Sequence, residues 1–470
     1  MPSPDAPPRD GLPAPARYQS FGVIILGITL SVLDASIVNL ALPDIARDVG
    51  ASASASVWVV NAYQLAIVSM LLPLANLGDR VGYRRVYLGG VVVFTLGSLA
   101  CTFAGTLPAL AGARALQGLG AAGIMSVNSA LVRLTFPAAM LGRAIAFNSV
   151  VVATGSVAGP TIAAGVLSVA SWPWLFAVNV PLGVVVVALG RKALPFNTHS
   201  ARKGLPLAWA DVALNVLMFS LVFLGADAVA LHGRGGEPGA PLLAGGLLAA
   251  GVAVAVVYVR RQRGKAAPLL PVDLLAIPVF ALSMCTSITA FAAQTLGFVA
   301  LPFLLLQGHG LSHLHAGLLI TMWPAAIVVT APIAGKLIAR VHGGLLGGVG
   351  LAVLATGLAT LALLPAHPSS LDMAWRLALC GAGFGLFQSP NNHTIVTSAP
   401  LARAGAASGM LGTARLTGQS LGAVLVGIVF GYFGAKGGTG PSVAFGLGAA
   451  MAAASAAFSL LRVGRAARAQ

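Results

Sequence analysis

The stretch FGVIILGITLSVLDASIVNLALP (21–43) decides the fold of this chain, because it holds 23 residues and a single charged side chain, Asp34. About 20 consecutive apolar residues are enough for a helix to cross the hydrocarbon core of a bilayer. A single segment in lipid has to be helical, since its backbone polar groups find no water to bind. We therefore predict a membrane-spanning helix over 21–42 with an acid near its middle.

The rest of the 470-residue chain has the same character, with 57% hydrophobic and 8% charged residues. Soluble domains carry about 25% charged residues, so a soluble protein is excluded. Apolar runs of spanning length occur fourteen times, which predicts an all-α membrane protein with fourteen transmembrane helices. The predicted spans cover residues 21–42, 57–77, 86–104, 108–131, 144–169, 174–190, 209–230, 241–259, 279–306, 316–336, 344–364, 373–397, 406–432 and 442–462.

Basic residues alternate between the predicted loops and fix the orientation. With the N-terminus inside, 21 of the 27 Lys and Arg residues fall in cytoplasmic loops or tails. Cytoplasmic loops of membrane proteins are enriched in Lys and Arg, so both termini are expected in the cytoplasm. The net charge of +16 is then a consequence of topology. It does not indicate a nucleic-acid partner.

The predicted spans divide into groups of six, two and six, and a weak internal sequence repeat relates the first six spans to the last six. Gly155 and Gly159 in the fifth span are echoed by Gly418 and Gly422 in the thirteenth. Two six-helix halves with a site between them are typical of secondary transporters. The predicted organisation is a disordered cytoplasmic tail (1–17), an N-terminal six-helix bundle (18–190), a linker with two additional spans (191–267), a C-terminal six-helix bundle (268–462) and a cytoplasmic tail (463–470).

Five motifs in a fixed order carry a family resemblance. They are LDASIVNLALP (33–43), GDRVGYRR (78–85), RALQGLGAAG (114–123), GSVAGP (155–160) and WPWLFAVNVPLG (172–183). Together they closely resemble the 14-span drug:proton antiporter branch of the major facilitator superfamily. The resemblance implies a fold of two six-helix bundles plus two extra central helices. One departure is Pro173, which stands where the family usually has Arg.

Asp34 is a functional candidate because an acid inside a span is costly. At 1.5 Å per residue, Asp34, Gln64 and Arg114 each lie about 10 Å below the outer end of their own spans. We therefore expect them in one layer, with Asp34 and Arg114 serving proton coupling. The resemblance assigns Arg114 a part in proton transfer. A hydrogen-bonded structural acid is the alternative for Asp34.

Polar residues on the faces of other spans are tentative substrate ligands. Arg114, Gln117 and Met125 follow helical spacing along one face of the fourth span, and such a face lines a cavity or forms a packing seam. For His393 a helix-end hydrogen bond, and for Arg415 a backbone partner, are open alternatives. The tentative substrate-binding residues are Asn61, Gln64, Gln117, Met125, Gln294, Gln388, Asn392, His393 and Arg415.

Two further motifs are expected to serve conformational change. The resemblance makes the tight loop with Asp79, Arg80, Gly82 and Arg84 a conformational latch, although Arg84 also fits plain positive-inside charge. Glycines allow close helix packing and proline bends a helix. The pattern GSVAGP, with Gly155, Gly159 and Pro160, is therefore expected to be a packing and hinge element, and its link to antiport comes from the resemblance.

The expected function is a proton-coupled antiporter of the inner membrane that exports lipophilic or amphiphilic drugs. Because Asp34 is the one acid deep in a span, a cationic or neutral substrate is expected. Export of a specific metabolite or siderophore is the alternative within transport, and a membrane enzyme or sensor is disfavoured, since no catalytic motif is present. No cofactor is expected besides the proton gradient. No metal is expected at His309, His313 and His315, and the protein is expected to be a monomer with protons, a small-molecule substrate and the bilayer as partners.

Overall fold

The computed structural model describes residues 11–196, 208–233, 240–263, 265, 268–338, 340–400, 404–435 and 439–466. All regular secondary structure in these ranges is helical. The helices are α1 (Ala16–Asp48), α2 (Ala53–Ser56), α3 (Trp58–Val81), α4 (Tyr83–Thr102), α5 (Leu107–Thr135), α6 (Ala138–Val169), α7 (Pro173–Ala177), α8 (Asn179–Ala193), α9 (Trp209–Gly233), α10 (Ala240–Gln262), α11 (Pro278–Pro302), α12 (His313–Leu337), α13 (Gly343–Ala362), α14 (Ser370–Ser398), α15 (Ala404–Phe433) and α16 (Thr439–Ala466). A 3-10 turn (Val272–Ala276) precedes α11 and a π turn (Phe303–Gly308) follows it.

Twelve helical segments in the described residues are long and apolar enough to cross a membrane, counting α2 with α3 and α7 with α8. The predicted count of fourteen is therefore not reached on this criterion. Two further helices have the length, namely α6 with 32 residues and α14 with 29. The apolar helix recorded within α6 is Ala158–Val169, and α14 carries a polar inner half around Asn391 that lowers its hydropathy.

The two halves repeat one packing scheme. In the N-terminal half α1 packs on α6, α4 on α5 and α3 on α5. In the C-terminal half α11 packs on α15, α13 on α14 and α12 on α14 in the same way. The correspondence places α15 where α6 stands in the other half, so the glycine echo read from the sequence reflects equivalent helices.

The glycine pairs of α6 and α15 stand at helix crossings. A Cβ added at Gly155 would meet Val32 of α1 at 3.2 Å, and one at Gly159 would collide with the Ser36 side chain. In the second half, a Cβ at Gly422 would lie 2.5 Å from the Ala292 carbonyl oxygen of α11. Glycine is required at these crossings because the neighbouring helix occupies the space of a side chain.

The halves meet along two seams, α6 against α12 and α3 against α15. Gly317 of α12 sits beside the Pro160 carbonyl oxygen of α6, at 2.8 Å from the position a Cβ would take. The central pair α9 and α10 pack on each other, and α9 lies across the second seam against α15 and α3. The linker helices are thus attached at one side of the junction between the halves.

The halves are closed against each other at the end of the bundle where α1 ends, which is the end predicted to face outside. One buried cluster there joins residues of both halves, from Leu42 and Val57 to Phe303 and Phe430. At the opposite end the core divides into an N-terminal and a C-terminal cluster. Leu416 of α15 is the one residue among the buried members of these two clusters that belongs to the other half.

The chain ends and the linker are described in part. Residues 1–10, 197–207, 234–239 and 467–470 lie outside the described ranges, and with them most of the proposed N-terminal tail and parts of the linker and C-terminal tail. Within the proposed tail 1–17, the Leu12 amide donates to the Thr135 carbonyl oxygen at 3.0 Å, and α1 begins at Ala16. The inner end of α5 therefore anchors the chain before its first span.

Candidate functional site

Asp34 lies at the centre of a buried polar cluster in the N-terminal half, with no exposed surface. Its Oδ2 atom accepts a hydrogen bond from Arg114 Nη1 at 2.5 Å, which is also an ion pair. Its Oδ1 atom accepts from Gln117 Nε2 at 2.7 Å and from Asn179 Nδ2 at 2.9 Å. Three donors from α5 and α8 thus converge on one carboxylate of α1.

The Arg114 guanidinium is held on every side. Besides Asp34, its Nε donates to the Val59 carbonyl oxygen at 3.0 Å and its Nη1 to Gln117 Oε1 at 2.5 Å. Its Cζ lies 4.0 Å from the centroid of the Tyr63 ring. A cation over an aromatic face gains about 2 kcal/mol when both are desolvated. The guanidinium is therefore fixed beside the carboxylate by α3 as well as by α5.

The cluster is built to hold Asp34 as a carboxylate. An ionised carboxylate only accepts hydrogen bonds, and all three of its neighbours donate. A buried charge without a partner is strongly unfavourable, whereas this pair is neutral as a unit. Adding a proton to Asp34 cancels its attraction for Arg114 and leaves the guanidinium unpaired. The geometry therefore links the charge of Asp34 to the integrity of its ion pair with Arg114.

The predicted layer of Asp34, Gln64 and Arg114 is realised in part. Asp34 and Arg114 are in contact, while Gln64 of α3 is 9% exposed and its Oε1 has no hydrogen-bond partner. Sequence reasoning missed Asn179 and Ser98, which accepts from Gln117 Nε2 at 2.7 Å. The sequence could have indicated Asn179, since it is the polar residue inside the motif 172–183. It could not have indicated Ser98, because serine is common in membrane spans.

The tentative substrate ligands of the N-terminal half fall into three environments. Gln117 is fully buried and uses its amide within the Asp34 cluster, so it is part of that cluster. Met125 is partly buried and packs against the N-terminal core. Asn61 is 6% exposed, and its Oδ1 atom is buried without a hydrogen-bond partner.

The tentative substrate ligands of the C-terminal half lie on α11, α14 and α15. Gln294, Gln388, Asn392 and Arg415 are partly buried, and His393 is exposed. Among the described residues, no hydrogen bond joins any of these side chains to the Asp34 cluster. Arg415 differs from the others because its Nε atom is buried and has no hydrogen-bond partner.

Arg462 corrects a further expectation. Arg462 is the last residue of the predicted span 442–462 and is counted among the cytoplasmic charges, but the structure buries it in α16. It donates to Asn391 Oδ1 at 2.6 Å and to Ser283 Oγ at 2.8 Å, and it also bonds the Ser459 hydroxyl. Neutral oxygens from α11, α14 and α16 satisfy this guanidinium, so the cluster ties the inner ends of three helices together.

The proposed latch loop is a tight turn between α3 and α4. Gly82 has a φ of 108°, a region that favours glycine. Tyr83 donates to Asp79 Oδ1 at 2.7 Å, and Arg80 Nε donates to Asn76 Oδ1 at 2.8 Å. Arg84 donates to the Leu194 carbonyl oxygen at 3.3 Å and to the Arg191 carbonyl oxygen, so it caps the C-terminal end of α8.

In the described part of the chain, two side-chain hydrogen bonds cross between the halves toward the closed end of the bundle. His313 Nε2 of α12 lies 2.5 Å from Asp44 Oδ2 of α1. About two turns deeper along α12, the hydroxyls of Thr161 and Thr321 lie 2.8 Å apart. Pro173, the departure from the family motif, takes the first position of α7, where the missing N–H is not needed.

Comparison with known proteins agrees with this architecture. Residues 24–423 match the sequence profile of the Major Facilitator Superfamily. The uncharacterized transporter YebQ of Escherichia coli (strain K12) is 52% identical over 431 residues, which cover 91% of this chain and 92% of YebQ. The riboflavin transporter RibZ of Clostridioides difficile (strain 630) is 30% identical over 403 residues, covering 85% of each chain.

A third relative is named for drug resistance. The multidrug resistance protein Stp of Mycobacterium tuberculosis (strain CDC 1551 / Oshkosh) is 33% identical over 412 residues, which cover 86% of this chain and 74% of Stp. YebQ and RibZ are transporters by name, and the described helices of this chain are those of a multi-pass membrane protein. The chain is therefore a transporter that belongs to the Major Facilitator Superfamily.

Proposed function

We propose that this protein is a proton-coupled antiporter that exports amphiphilic compounds across the inner membrane. The observation that carries the proposal is the buried Asp34–Arg114 pair, held by residues of α1, α3, α5 and α8. An acid in a span marks a proton or ion pathway more often than a structural role. The relative named for multidrug resistance supports drugs as the exported class.

Coupling follows from the two states of the pair. With Asp34 ionised, the pair is neutral and joins α1 to α5. With Asp34 protonated, Arg114 loses its partner and the contacts between these helices change. A proton taken up from outside and released inside thus alternates the packing of the N-terminal half, which biases the two conformers of the transporter.

The structure alters the expected substrate charge. The expectation of a cationic substrate rested on a carboxylate that is free to bind it, and Asp34 is instead paired with Arg114 at 2.5 Å. A substrate cation would have to displace an internal guanidinium to reach Asp34. The proposal therefore keeps the amphiphilic substrate and leaves its charge to be set by other residues.

We further propose fourteen spans with both termini in the cytoplasm and a monomeric protein. Adding α6 and α14 to the twelve apolar segments gives this count. Reporter tags at both termini, in 197–207 and at 264–267 are expected to be cytoplasmic. A periplasmic signal at 264–267 would contradict the placement of α9 and α10 as two spans.

Everted membrane vesicles test the proposed function. Vesicles from cells that express the protein are energised, loaded with a panel of dyes and drugs, and followed for luminal pH and compound uptake. Uptake that requires the gradient, collapses with an uncoupler and releases luminal protons in step supports antiport. Uptake that persists unchanged with the uncoupler, or conversion of a compound without any gradient, contradicts it.

Export of a specific metabolite is the second candidate, because one relative is named as a riboflavin transporter. The same vesicles distinguish the two. A multidrug exporter accepts several unrelated scaffolds that compete with one another, whereas a metabolite exporter accepts one scaffold and its close analogues.

A further inference from the structure

Arg415 of α15 is a cation without a counter-ion. No carboxylate in the described residues pairs with it, and its Nε atom is buried without a hydrogen-bond partner. The Arg415 side chain as a whole is partly buried. A buried donor without an acceptor is unfavourable, so this guanidinium favours an acidic ligand.

Helix geometry directs Arg415 into the space between the halves. Gly418 and Gly422 face α11, where an added Cβ would meet Ile288 and Ala292, and Gly412 faces Leu71 of α3. At 100° per residue, Arg415 lies about 60° from Gly418 and about 60° from Gly412, between these two directions. Its side chain therefore points between α11 of one half and α3 of the other.

The register of α15 against α3 gives the depth of Arg415 in the bundle relative to Arg114. A Cβ at Gly412 would lie 3.7 Å from Leu71, and one at Gly427 would lie 4.0 Å from the Ser54 carbonyl oxygen, so the helices are antiparallel. Arg415 then falls level with Val68, while Arg114 bonds the carbonyl of Val59. Nine residues correspond to roughly 13 Å along the helix, which puts Arg415 on the inner side of the proton site.

This depth lies toward the end of the bundle where the core divides into two clusters. A compound entering from the cytoplasm would meet Arg415 before it meets the Asp34 cluster. Gln64, whose Oε1 is also unpartnered, lies one turn above on α3 and faces the same seam. Ile288 of α11 and Leu71 of α3, which lie next to Gly418 and Gly412, form an apolar wall beside Arg415.

The other charges of the chain do not neutralise Arg415. The deep acid Asp34 is already paired with Arg114. Of the remaining acids, Asp44, Asp211 and Asp372 pair with basic residues, and Asp227 of α9 accepts a hydrogen bond from Trp58 Nε1 at 2.7 Å. No carboxylate of the described residues therefore compensates the charge of Arg415.

We propose that Arg415 binds an acidic group of the substrate, so that the transported compounds are amphiphilic organic anions such as carboxylates or sulfonates. The inference rests on the proposed function, since it names the substrate class of the same transporter. A planar guanidinium offers two parallel donors to a carboxylate, and Arg415 has no internal acceptor that competes for them. The apolar wall contacts the rest of the molecule.

Binding to matched acid and neutral compounds tests the proposal without any gradient. The full-length protein in phosphatidylcholine nanodiscs is titrated with naphthylacetate against naphthylacetamide, and with anilinonaphthalene sulfonate against phenylnaphthylamine, and empty nanodiscs are subtracted. In the wild type each acid is expected to bind more tightly than its neutral partner. Arg415→Gln should weaken the acids about tenfold and the neutral compounds less than twofold, and Arg415→Lys should retain most of the preference.

Arg260→Gln is the matched control, because it removes an exposed arginine at the inner end of α10 and should leave both compounds unaffected. Unchanged binding of the neutral compounds shows that a variant is folded. No preference for acids in the wild type, or a preference that survives in Arg415→Gln, would overturn the proposal.

A lipid headgroup offers the same chemistry as an acidic substrate, so a second arm adds phosphatidylglycerol to the nanodiscs. Undiminished acid binding supports a substrate site. Loss of acid binding there, with phosphatidylglycerol retained by the wild type and not by Arg415→Gln, assigns Arg415 to lipid and overturns the proposal. Vesicle uptake distinguishes failure of the anion site from failure of the proposed antiport. If neutral compounds are transported in a gradient-dependent way and Arg415→Gln has no effect on any compound, the antiport proposal stands and the anion-site proposal is wrong.

Discussion

Asp34 and Arg114 form an ion pair with 2.5 Å between Oδ2 and Nη1, and the two side chains are 0% and 1% exposed. They belong to α1 and α5 and are separated by 80 positions in the sequence. Burial of a pair costs both charges their hydration, so such pairs are rarely kept for stability alone. We attribute this one to proton coupling.

Asp34→Asn is expected to abolish uphill efflux while substrate binding persists. The asparagine keeps the size of the side chain and still accepts hydrogen bonds, but it has no proton to exchange. Efflux against a gradient should fall to the passive rate in energised vesicles, and binding should lose its pH dependence. Asp48→Asn is the control, because it changes an acid at the outer end of the same helix whose contact with Trp172 Nε1 an amide oxygen can keep. Normal uphill efflux by Asp34→Asn would make Asp34 a structural acid.

Removing the basic partner should be more damaging to stability than removing both charges. Arg114→Gln leaves a buried carboxylate without its cation, and breaking a buried pair in this way costs about 3–5 kcal/mol. In Asp34→Asn/Arg114→Gln the uncompensated charge is absent, so part of that loss should be recovered. Thermal unfolding in detergent measures both variants. A double variant less stable than Arg114→Gln would mean that the hydrogen bonds that Asp34 accepts from Gln117 and Asn179, rather than the charge balance, dominate the site.

The sequence predicted much of this arrangement, and the limits of that prediction are physical. Asp34 and Arg114 were found because charge inside an apolar run is rare, and helical rise placed them in one layer. The partners Asn179 and Ser98 were missed, since neutral polar residues are frequent in spans and their orientation depends on tertiary packing. Arg462 was misplaced because hydropathy cannot distinguish a buried helix end from a loop.

The contact between Asp44 and His313 is expected to favour the conformer that is closed at the outer end. It joins α1 to α12 across the halves, with the two side chains 13% and 29% exposed. Partly exposed pairs contribute up to about 1 kcal/mol, so His313→Gln should shift the conformer ratio by no more than about fivefold. Distances between spin labels on the outer ends of the two halves report the shift.

Arg47→Gln provides the control for that experiment. Arg47 also pairs with Asp44, at 2.7 Å, but both residues belong to α1. Removing it deletes an Asp44 partner without touching a contact between the halves. Equal shifts in His313→Gln and Arg47→Gln would show that the label distances respond to the charge of Asp44 and not to the bridge.

Gly159 is expected to tolerate no side chain, because α1 occupies the space that a Cβ would need. Gly159→Ala should clash with Ser36 and cost about 1–3 kcal/mol of stability, with a matching loss of transport. Gly165→Ala in the same helix has open space and should be neutral or slightly stabilising. Ser36→Gly should rescue Gly159→Ala by removing the clashing hydroxymethyl group. If Gly159→Ala and Gly165→Ala behave as expected but Ser36→Gly does not rescue Gly159→Ala, the loss of stability arises from the backbone of α6 and not from the clash with Ser36.

The charge of the substrate should determine how export responds to membrane potential. Exchange of one anion leaving the cell for one proton entering moves two charges in the direction that an inside-negative potential favours, which amounts to about 4.6 kcal/mol per 100 mV. Exchange of a cation for one proton moves no net charge. If Arg415 selects anions, export measured at equal pH on both sides should accelerate when a potassium diffusion potential is applied through valinomycin, and Arg415→Gln should lose this response for acids. Transport of naphthylacetate that ignores the potential would contradict one-for-one exchange of an anion and a proton.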